Sequence, residues 1–127
     1  MAAPVPCSLV RVIICDDEEH VRLVYRVAFE DLGVDVIEAV DGDDCLVQMA
    51  LGCPDLIVLD LFMPQRDGLS ALPELKQKCS TARVLVVSVS DAAETFSICK
   101  ERGATACFDK VGFAARIPRI VEHYTTA

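Results

Sequence analysis

Asp55-Leu56-Ile57-Val58-Leu59-Asp60 sets four large aliphatic residues in a row and closes them with a carboxylate. A short run of this kind, entered through Cys53-Pro54, reads as a β-strand buried on both faces. Two more runs have the same form: Leu9–Cys15 leads into Asp16-Asp17, and Val84–Val87 into Ser88. A shorter stretch, Ala106–Phe108, leads past Asp109 to Lys110. Doubly buried strands belong to parallel sheets, and ligands of open α/β sheets sit outside the carboxyl ends of the strands. The sequence therefore predicts that carboxylates, a hydroxyl and an ammonium gather in one crevice. Such a set suits a divalent metal and a phosphoryl group.

Between these runs the pattern changes to helical spacing. Glu18–Leu32 places Val21, Val24, Tyr25 and Ala28 on one helix face, and Gly33 supplies a C-terminal stop. Val34–Val40 reads as a second strand, and Asp41-Gly42-Asp43 as a turn capping a helix to about Leu51. Met63–Leu69 is expected to be a loop, followed by a helix over Ser70–Cys79 with Pro73 in its first turn. Arg83–Val87 is the fourth strand, and Asp91–Glu94 resembles a capping box opening a helix to Arg102-Gly103. Ala104–Asp109 is the last strand. In the final helix Pro118 is expected to start the regular part, with Val111–Ile117 irregular. The alternation predicts a doubly wound α/β fold of five βα units, with a five-stranded parallel sheet. Residues 1–8 are expected to be a short disordered leader, 9–124 the domain and 125–127 a tail.

At 127 residues and 53% hydrophobic, the chain is long enough to bury one core. No apolar stretch approaches the roughly 18 residues that span a bilayer, and Met1–Ser8 has neither a basic n-region nor an apolar h-region. A net charge of -8 argues against direct binding of nucleic acid, and it also keeps a small protein soluble. The seven cysteines are odd in number and include no CxxC pair. Reduced thiols packed as small hydrophobes are therefore expected, with Cys15 and Cys53 the two worth a closer look.

The chemistry rests on the combination. A lone ionised carboxylate at the end of so apolar a strand is costly unless it meets solvent or a cation, so Asp60 asks for a partner. Adjacent Asp16 and Asp17 repel each other unless a cation intervenes, and they also favour the N-terminus of the following helix. With strands one and three adjacent, Asp16, Asp17 and Asp60 meet, and hard oxygen ligands suit Mg2+. Ser88 and Lys110 each supply a donor to a phosphoryl oxygen.

This ordered set, with Asp60-Leu-Phe-Met-Pro-Gln-Arg-Asp-Gly68 after the aliphatic strand, resembles the receiver domain of two-component response regulators over Leu9 to Tyr124. The resemblance implies a CheY-like, flavodoxin-like (βα)5 fold with strand order 2-1-3-4-5. It implies that Asp60 is the phosphoacceptor, attacking a phosphohistidine on a sensor histidine kinase or a histidine phosphotransfer protein. Asp17, Asp60 and the backbone carbonyl of Phe62 would ligate Mg2+ (Mn2+ being possible), and Asp16 would act through metal-bound water. Lys110 would pair with Asp60 and then with the phosphoryl group, while Ser88 would swing inward and shift the Ser88–Ala93 loop. Partners would read the helix four and strand five surface. The implied role is a signalling domain in the bacterial cytosol that catalyses only its own phosphorylation and dephosphorylation, with no DNA or membrane contact.

Several positions depart from the family pattern. Many receivers carry an aromatic ring three residues before the strand-five lysine, where this chain has Cys107, and Phe108 should face the other way. Proline often follows that lysine, where this chain has Val111. Phe62, two residues after the acceptor, is expected to shield an acyl phosphate and slow its hydrolysis. A stand-alone receiver acting in trans is expected, the alternatives being a phosphate relay or sink, or the receiver of a longer regulator. A Mg2+-dependent phosphohydrolase is a more distant reading, because the second acid it needs two residues after the nucleophile is replaced by Phe62. A receiver-like module independent of phosphate would have lost one of the acidic or lysine positions, and none is lost.

Overall fold

The computed structural model describes residues 10–63, 67–89 and 93–125. The strands are β1 (Arg11–Cys15), β2 (Asp35–Ala39), β3 (Leu56–Asp60), β4 (Arg83–Ser88) and β5 (Ala106–Asp109). They alternate with α1 (Glu19–Glu30), α2 (Gly42–Met49), α3 (Gly68–Lys78), α4 (Ala93–Glu101) and α5 (Phe113–Thr125). All strand pairs are parallel and the sheet order is β2-β1-β3-β4-β5. The expected doubly wound architecture is thus present. Among the described residues no helix is long and apolar enough to cross a membrane.

The period of two along each strand explains why the central runs carry no polar residue. Ile13, Cys15, Ile57, Leu59, Val84 and Val86 pack on one face with Cys45 and Met49 of α2, Ala71, Leu72 and Leu75 of α3, and Cys99 of α4. Val12, Ile14, Leu56, Val58, Leu85 and Val87 pack on the other with Tyr25 and Phe29 of α1 and Phe113 and Ile117 of α5. Both faces are covered, so both sets must be apolar. Gly33, at φ +79, ends α1 as expected, with its N–H on the Glu30 carbonyl and that of Val34 on the Phe29 carbonyl.

Both prolines fall deeper in their helices than the sequence suggests. Pro73 is the sixth residue of α3, not part of its first turn, and Pro118 lies inside an α5 that is already regular from Phe113. A helical proline leaves the carbonyl four residues earlier without its usual donor. For Pro73 that carbonyl belongs to Leu69, and Arg102, just after α4, donates Nη1 to it at 3.0 Å. α5 also runs through Thr125, the first residue of the expected tail. The capping-box residues Asp91 and Ala92, and the leader to Leu9, lie outside the described residues.

The cysteines also depart from expectation. Cys53 and Cys79 are joined by a disulfide that ties the loop before β3 to the end of α3, with Cα atoms 5.7 Å apart. The uniformly reduced state read from the sequence is therefore incorrect for this pair. α3 brings together two residues 26 apart in the chain, which no local spacing signals.

Candidate functional site

Four strands deliver the site. Cys15 pairs in register with Leu59, so the residues that follow, Asp16 and Asp60, emerge side by side at the carboxyl edge. Asp16 is anchored by its N–H on the Ala39 carbonyl, and its Oδ1 accepts from the Glu18 N–H at 2.9 Å. Both carboxyls are buried, at 2% and 4% exposure, whereas Asp17 is exposed. Carboxylate oxygens of Asp16, Asp17 and Asp60 lie within 4.8 Å of one another. The expected convergence of these three acids is present.

Lys110 enters from the next edge. Its N–H donates to the Ser88 carbonyl at 2.8 Å, fixing the residue after β5 against the end of β4. Its ammonium lies 2.9 Å from Asp16 Oδ2 and 3.4 Å from Asp60 Oδ2. The pair with Asp60 that the resemblance implied is present, and a second, shorter one joins Lys110 to Asp16. Ser88 is fully buried at the end of β4. The Phe62 N–H donates to Asp60 Oδ1 at 3.3 Å, and its ring is exposed. Pro64, Gln65 and Arg66 of the loop motif lie outside the described residues.

Electrostatics follow from this packing. Burial first, and the Asp16 charge second, push the Asp60 carboxyl up to about 6 against the opposing pull of Lys110 and the Phe62 N–H. Burial alone would lower the Lys110 ammonium, but Asp16 and Asp60 outweigh it and raise its pKa. Positive charge brought between the acids favours their ionised forms. The donor set is all carboxylate oxygen, clustered and only partly covered, which fits a hard divalent cation that keeps some water.

Cys15 proves structural. Its thiol, in contact with Cys45, Asp41 O at 3.2 Å and Met63 Sδ at 3.7 Å, is pushed well above the usual range by Cys45 and by burial. Sequence reasoning missed Arg22, whose Nη1 donates to the Asp16 carbonyl at 2.8 Å while its Nε pairs with Glu38 at 2.9 Å. It also missed Gly68. A Cβ there would strike the Asp60 carbonyl oxygen, so only glycine lets α3 begin directly over the Asp60 backbone. The Gly in the motif was a signal for both turn and close approach.

An aspartate thus closes a central parallel strand beside a second buried acid and a lysine, at the carboxyl edge of the sheet. The chain belongs to the response regulator receiver domain family, whose model matches residues 12–122. It is 37% identical over 107 residues to a protein-glutamate methylesterase/protein-glutamine glutaminase of Geobacter sulfurreducens, covering 83% of this chain and 27% of that protein. It is 31% identical over 84 residues to the probable transcriptional regulator ycf27 of Porphyridium aerugineum, covering 66% and 35%. The chain spans about a third of the length of the first curated relatives it matches. Among solved structures, the Vibrio cholerae chemotaxis protein CheY4 shares the fold with a TM-score of 0.85 at 20% identity, over 91% of this chain and 98% of that one. Brucella abortus NtrX gives 0.83 at 26%, over 91% and 26%. Receivers are signalling domains with an acidic, Mg2+-binding pocket, phosphorylated by histidine kinases or phosphotransfer proteins.

Proposed function

We propose that this receiver accepts a phosphoryl group on Asp60 from a phosphohistidine of a sensor histidine kinase or phosphotransfer protein in the cytoplasm, and that the change is read by a partner surface. The observation that carries this reading is the buried Asp60 carboxyl, held at a strand end between Asp16 and Lys110. An Asp60 oxygen attacks phosphorus, the P–N bond breaks, and the imidazole leaves with its electron pair. Asp16, Asp17, Asp60 and the Phe62 carbonyl would hold Mg2+ or Mn2+, which supplies charge neutralisation for the phosphoryl oxygens. Lys110 would neutralise a phosphoryl oxygen, and the Ser88 hydroxyl would donate to another. A bond from Ser88 to the phosphoryl group would alter the surface that α4 and β5 present.

The test is intact mass after incubation with Mg2+ and acetyl phosphate. One labile phosphoryl adduct is expected on the wild type and none on Asp60→Ala. An adduct on both proteins, or on neither even with a histidine kinase supplied, overturns the assignment. Steady release of phosphate from small esters would instead favour a phosphohydrolase.

A further inference from the structure

We propose that Cys53 and Cys79 form a reversible thiol–disulfide pair, open to exchange with low-molecular-weight disulfides, that sets how firmly α3 is held to β3 and how readily Asp60 is phosphorylated. The last part rests on the phosphoacceptor reading above; the exchange itself does not.

The pair differs from the other described thiols in access. Cys15, Cys45 and Cys99 are buried, and burial pushes the half-buried Cys107 thiol up to about 11. Cys53 is exposed while Cys79 is 2% exposed, so a small thiol or disulfide meets the Cys53 sulfur first. Exposed disulfides are the labile ones. The Cys53 thiolate attacks a disulfide RSSR, forming a mixed disulfide and releasing one thiolate. Cys79 then attacks the Cys53 sulfur, closing the protein disulfide and releasing the second thiolate. Two protein thiols are oxidised, one RSSR is reduced to two RSH, and reduction runs the same steps backwards.

The bond lies where it can govern α3. At its first turn α3 is fixed to the site, with the Gly68 N–H on the Leu61 carbonyl at 3.1 Å and Gly68 against Asp60. At its last turn, beside the core packing of Leu75, it is held by the disulfide and by Lys76, whose ammonium donates to the carbonyls of Ser80 at 3.0 Å and Ala82 at 2.7 Å. Pro73 interrupts the helix's own hydrogen bonding between the two ends. Oxidised, α3 is tied to β3 at both ends. Reduced, its C-terminal half opens more readily, and the element that backs the acceptor loosens.

The test equilibrates the full chain across ratios of oxidised to reduced glutathione, then applies native alkylation and peptide mapping. Cys53 and Cys79 should convert together, Cys79→Ala should trap glutathione on Cys53, and Cys53→Ser should leave Cys79 unmodified. Hydrogen exchange should run at least about tenfold faster across α3 in the reduced wild type. Phosphorylation by acetyl phosphate should be roughly threefold or more slower, because Asp60 is less well positioned. Resistance of the bond to millimolar dithiothreitol, or failure of the thiols to oxidise, overturns the exchange. Equal α3 protection in the two forms overturns the hold on α3. Altered protection with equal phosphorylation rates overturns only the link to Asp60, and no phosphorylation in either form counts against the acceptor assignment instead.

Discussion

Asp16 and Asp60 are both buried, face the same lysine and repel each other. Two buried acids thus share one lysine, at a cost to the fold. Asp60→Asn removes one of two like charges while keeping a hydrogen-bonding group. It should raise unfolding stability by about 1 to 2 kcal/mol in metal-free buffer; an unchanged or lower urea midpoint would contradict this. Phe62 presents an exposed ring two residues from Asp60. Phe62→Asn replaces an apolar shield with a group able to hold water, and the phosphorylated form should decay several-fold faster in a time course of intact mass. An unchanged lifetime would remove Phe62 from the account. The acidic pair, Asp60, Ser88 and Lys110 were all legible in the sequence because each ends or follows an apolar run. The closer approach of Lys110 to Asp16 was not, since it depends on how the residue after β5 is set against the end of β4.

At the level of elements, α3 and the α1–β2 contact carry the site's support. Gly68→Ala drives a Cβ into the Asp60 carbonyl, a rigid backbone atom. It should cost about 1 to 3 kcal/mol and slow phosphorylation, with both effects measured on the same preparation. A fully tolerated alanine would show that α3 begins elsewhere in solution. Arg22 and Arg26 of α1 converge on Glu38 of β2 at 2.9 and 2.7 Å. Partial burial alone would raise the Glu38 pKa, but the two guanidinium hydrogen bonds hold it below its ordinary 4.5. A depressed carboxyl stabilises the fold above its unfolded pKa, and this contribution is lost as pH falls below about 4.5 through the folded value. The stability gap between wild type and Glu38→Gln should therefore narrow between about pH 7 and pH 3 in urea unfolding. Helix existence was readable from Val21, Val24 and Tyr25, whereas the place of Pro73 was not. Its tolerance depends on Arg102, 33 residues from the carbonyl it serves, and no local pattern carries that distance.

On the scale of the whole molecule, the sheet separates two tasks. Its carboxyl edge gathers Asp16, Asp60, Ser88 and Lys110, and the disulfide lies at the opposite end, where β3 begins and α3 finishes. The doubly buried runs marked the central strands, because alternate residues of each fill two separate cores, while the order β2-β1-β3-β4-β5 came only with the family likeness. The disulfide could not be inferred, because only the assembled fold brings its two halves together. Closing a loop of 26 residues restricts the unfolded chain by about 3 kcal/mol. Reduction should accordingly lower the melting temperature by roughly 10 °C, and a calorimetric scan with and without dithiothreitol checks it. The guanidinium that crosses from the end of α4 to the Leu69 carbonyl offers a different use. That carbonyl accepts from a side chain of a neighbouring helix, so its 13C chemical shift becomes a built-in gauge of the α3–α4 spacing. Labelling that single carbon would let a spectrometer register the helices drawing apart without touching the acidic pocket.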